Sequence, residues 1–103
     1  MATPFERVGL VINPTAGASS AGRVGSHVAA ELRARRVPYT DLTGADAAQA
    51  LDQIRAAVAA ESVDCIIVVG GDGIVNLAVN GLAESEVPLL IIPAGSGNGT
   101  ARA

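Results

Sequence analysis

Short apolar runs and longer periodic stretches alternate along this chain. Val8 to Ile12 is interrupted only by Gly9, Cys65 to Val69 is unbroken, and Val87 to Ile92 is apolar throughout. Runs of that length, rich in β-branched residues, predict strands buried on both faces of a parallel sheet. Val24, Val28 and Leu32 recur at helical spacing and predict a first helix. It closes in Arg33, Arg35 and Arg36, cations placed where the helix dipole favours them. Ala47, Ala50, Leu51, Ile54 and Val58 predict a second helix over Ala45 to Ala60, in a background of alanine. Val75, Ala78, Val79 and Leu82 predict a third, within the stretch Gly70 to Leu82. Val37 to Leu42 reads as a short second strand, and Pro38 assigns it to the periphery.

Strand and helix alternating in this way predict an α/β fold, a Rossmann-like three-layer domain with a parallel sheet and helices on both faces. Ligands of such sheets lie beyond the carboxyl ends of the strands, where strand order reverses. The loops after strands one, three and four are rich in small and turn-forming residues, whereas the loop after strand two is unremarkable. The expected strand order is therefore 2-1-3-4, which brings the three loops to one crevice.

Composition narrows the chemistry. At 103 residues this is one small domain, and an apolar half is globular composition. A net charge of −3 and only 2% aromatic residues argue against nucleic acid, which needs a basic patch and commonly stacking side chains. No lysine is present, so a Walker-type phosphate loop is excluded. The lone Cys65 falls within a predicted buried strand and reads as a core residue. With no signal-like opening and no run long enough to span a membrane, a soluble, cytoplasmic protein is expected.

The chemistry gathers at the loops. Gly70, Gly71 and Gly73 surround Asp72 at a predicted strand-to-helix turn, where backbone can approach a ligand closely and the first helical N–H groups lack partners. Those donors and the dipole favour a phosphate. A carboxylate at Asp72 fits beside phosphates if a cation such as magnesium lies between them. A plain tight turn with Asp72 as helix cap is the alternative. After strand one, Asn13 offers an amide, Thr15 a hydroxyl and Gly17 close backbone approach. The last loop alternates Gly95, Gly97 and Gly99 with Ser96, Asn98 and Thr100, either a phosphate nest or a surface loop. Neither glycine loop completes the dinucleotide fingerprint, because Asn76 and Thr100 stand at the final glycine. His27 has no partner spaced to join it and reads as a surface residue.

Asn13-Pro14-x-Ala16-Gly17, Gly70-Gly71-Asp72-Gly73 with Asn76, and Pro93-Ala94-Gly95-Ser96-Gly97-Asn98 followed by Ala101-Arg102 together resemble the diacylglycerol kinase catalytic domain family. The resemblance spans Val8 to Arg102. It implies the amino-terminal α/β domain, residues 1–103, of a two-domain lipid kinase whose β-rich carboxyl-terminal domain is absent. By the same resemblance, Asn13, Thr15, Ala16 and Gly17 contact ATP, and Gly70, Gly71 and Gly73 line its phosphates. Asp72 acts near magnesium as the catalytic and metal residue, and Asn76, Gly95, Ser96, Gly97 and Asn98 complete the nucleotide site. The implied partners are ATP, a lipid substrate at the inner membrane surface and the missing domain, with self-association as a consequence of the surface left open. Ile74 stands where the family commonly has threonine, removing one expected phosphate-side hydroxyl, while Leu77 and Gly99 replace common acids. An NAD kinase-like enzyme and a non-catalytic relative are the competing readings.

Overall fold

The computed structural model describes residues 7–13 and 20–93. The expected site residues Thr15, Ala16, Gly17, Gly95, Ser96, Gly97 and Asn98 lie outside that range. The elements run β1 (Val8–Ile12), α1 (Ser20–Ala34), β2 (Tyr39–Asp41), α2 (Ala47–Ala59), β3 (Cys65–Gly70), α3 (Asp72–Gly81) and β4 (Leu89–Pro93). The strands form one sheet in the order β2-β1-β3-β4 with every pair parallel, the order the loops predict.

Side chains alternate across a strand, so each buried run feeds two cores. On one face Val11, Ile66 and Val68 pack with Ile54 and Ala57 of α2 and with Ile74 and Ala78 of α3. On the other, Val8, Leu10, Cys65, Ile67 and Val69 pack with Leu32, Val24 and Val28 of α1. This is the three-layer arrangement, with α1 on one face and α2 and α3 on the other. At Gly81 the two helices on the shared face meet closely, and an added Cβ would come within 2.7 Å of Ile54 Cγ2. Burial pushes the Cys65 thiol up from its ordinary range, and the neighbouring Asp64 carboxylate adds to the effect. The cysteine is a core residue, as its place in the sequence predicts.

Local chemistry sets the element ends. Helix α2 begins at Ala47, not Ala45, because Asp46 is its cap and accepts from Gln49 N–H at 2.9 Å. Gln49 reaches back, its Oε1 accepting from Ala45 N–H at 2.7 Å. Helices α1 and α2 close through the same pair of backbone bonds. Arg36 N–H donates to Arg33 and Val37 N–H to Leu32; Glu61 N–H donates to Val58 and Ser62 N–H to Ala57. These turns place Arg36 at φ 59 and Glu61 at φ 56, in the left-handed region. Strand β2 is shorter than expected: Val37 belongs to the helix exit, its N–H donating to Leu32 O, and Pro38 only lends its carbonyl to Val8 N–H. Strand β4 is shifted, starting at Leu89 and ending at Pro93, because Val87 lies in a turn where its N–H donates to Ser85 Oγ.

Candidate functional site

Asn13 and the glycine turn lie side by side at the carboxyl ends of β1 and β3, and β4 ends beside them. Asn13 N–H donates to Val69 O at 3.1 Å, continuing the β1–β3 ladder to its last rung. Pro93, the last residue of β4, pairs in register with Gly70 and so lies next to the glycine turn. Gly70 has φ 151, and an added Cβ there would sit 2.5 Å from Ile74 Cγ2 and 3.3 Å from Asn13 Cβ. Gly70 is therefore glycine for the fold's own reasons: it lets β3 turn sharply into α3 while touching the first loop.

Gly73 is different. Among the described residues, a Cβ added at Gly73 meets nothing within 4 Å. Neither packing nor a positive φ demands glycine at this position, which stands open at the first turn of α3. Gly71 is the cap of α3 and makes no side-chain capping bond, unlike Asp46 on α2. Gly71 thus lends no side chain to the first N–H groups of α3, which lie at the carboxyl end of β3. Asp72, the acid of that first turn, is exposed. Asn76 lies four residues on, also exposed, on the same face of the helix. Among the described residues no group of three His, Cys, Asp or Glu side chains is placed to hold a metal. Magnesium here would rest on Asp72 with ligand oxygens and water, the mode this ion favours.

Two positions take structural roles that the motifs do not show. Ile74 is only 5% exposed and packs beneath the turn, against Gly70 and the α2–α3 core. The isoleucine at 74 therefore serves the core beneath the turn. The loop after β2 is not unremarkable. Thr43 Oγ1 accepts from Ile12 N–H at 3.0 Å, in the place the next rung of the β1–β2 ladder would occupy after Leu42 N–H bonds Leu10 O. Asp41 Oδ1 in turn accepts from Thr43 N–H at 2.9 Å. Thr43 holds the end of β1 just before Asn13, and the spacing Asp-x-Thr after a strand was the available signal.

The opposite end of the sheet offers a groove of about 420 Å³ lined by Arg7, Glu61, Asp64, Glu86, Val63 and Pro88. Three carboxylates against one guanidinium make it a poor site for phosphate. The arginines of the α1 terminus are exposed, with Arg35 paired to Glu31 at 3.0 Å and Arg33 donating to Tyr39 at 2.8 Å.

A parallel sheet of this order, with helices on both faces and a glycine turn at its carboxyl end, defines a Rossmann-like α/β domain. Residues 7–103 match the diacylglycerol kinase catalytic domain family, and the chain belongs to that family. It is 40% identical over 96 residues to proteins named diacylglycerol kinase from Mycobacterium tuberculosis strains CDC 1551 and H37Rv. That match covers 93% of this chain and 31% of each relative, so the chain spans about a third of their length. The crystal structure of a diacylglycerol kinase from Bacillus anthracis strain Sterne matches with a TM-score of 0.75 at 35% identity, covering 98% of this chain and 35% of that one. The family match decides between the two kinase resemblances in favour of the lipid kinases.

Proposed function

We propose that this domain binds ATP for a diacylglycerol kinase-like lipid kinase, which transfers the γ-phosphate to a lipid hydroxyl. The observation that carries the reading is Gly73, open in a turn whose helix has no side-chain cap. Phosphoryl transfer asks a protein mainly for positioning and charge neutralisation. The N–H groups of the first turn of α3 hold phosphate oxygens, and Gly73 keeps that approach free of side-chain bulk. Asn13 stands at the neighbouring strand end, its N–H donating to Val69 O and Ile12 before it held by Thr43. Asp72 is the residue to hold magnesium, directly or through water. When bound, that ion neutralises charge on the phosphates.

The lipid acceptor and the groups that activate it belong to the remaining two-thirds of a full-length kinase. We place such a protein in the cytoplasm, acting at the inner membrane surface where its substrate lies. Among the described residues no helix is long and apolar enough to cross a membrane. Calorimetric titration of ATP into the chain, with and without magnesium, tests the reading. Magnesium-dependent binding that weakens at least tenfold in Asp72→Ala supports it; binding indifferent to both contradicts the role of Asp72.

A further inference from the structure

We draw no further inference here: the strongest candidate, the groove at the amino-terminal end of the sheet lined by Arg7, Glu61, Asp64 and Glu86, is an acidic cluster in a chain that spans about a third of its relatives, and nothing in the structure shows what covers it.

Discussion

At Gly70 an alanine Cβ would meet Ile74 Cγ2 at 2.5 Å with the backbone at φ 151. Gly70→Ala is therefore expected to destabilise the domain by about 2 kcal/mol or more, read from chemical denaturation. Arg36 and Glu61 have the same kind of backbone for a different reason. Both are exposed and both occupy the left-handed position that closes a helix. Replacing either by glycine relieves that conformation at no packing cost, and each variant should gain about 0.5–1 kcal/mol. A lower melting temperature in both variants would contradict this reading of the helix ends. Cys65 carries a pH dependence. Its folded-state pKa is raised by burial, so the contribution of the neutral thiol is fully present below the unfolded value near 9.0 and is lost as pH rises above it. Denaturation from pH 7 to 10 should show a decline that Cys65→Val reduces.

The contrast between the starts of α2 and α3 belongs to the scale of elements. Asp46 and Gln49 cap α2 reciprocally, and Asp46→Ala should cost about 1 kcal/mol. α3 starts on Gly71 with no such bond, the arrangement expected of a helix whose first donors are kept for a ligand. Thr43 stands in for a missing rung of the ladder. Thr43→Val leaves the part-buried Ile12 N–H without its acceptor, at a cost of about 1–3 kcal/mol, and Thr43→Ser should recover most of it. Equal stability of the valine and serine variants would show that the hydroxyl does not carry this role.

Much of this was legible in the sequence. The apolar runs gave three strands, helical spacing gave three helices, and the placement of small-residue loops gave the strand order. Boundaries were less legible where side chains compete with the ladder, as Asp46, Pro38 and Ser85 do. Thr43 was hidden because its acceptor role appears only once β1 and β2 are paired. The burial of Ile74 was hidden because a motif position says nothing about which way the side chain turns. Gly70 and Gly73 look alike in the chain, and only the packed structure separates the glycine the fold requires from the one it does not.

At the scale of the whole molecule, two cores on one sheet make the site a rigid corner. Ile54 is fully buried between α2, α3 and the sheet, and Ile54→Ala should cost about 2–5 kcal/mol, weakening the seat of α3 and hence the turn. The central claim is that Gly73 is open for a ligand and not for the fold. The most direct test pairs thermal melting with magnesium-ATP titration for wild type and Gly73→Ala. Alanine fits the empty space and favours the helix, so the account predicts a melting temperature at or above wild type together with nucleotide binding at least tenfold weaker. Equal binding by the two proteins, or a loss of binding that merely follows a loss of fold, would contradict it.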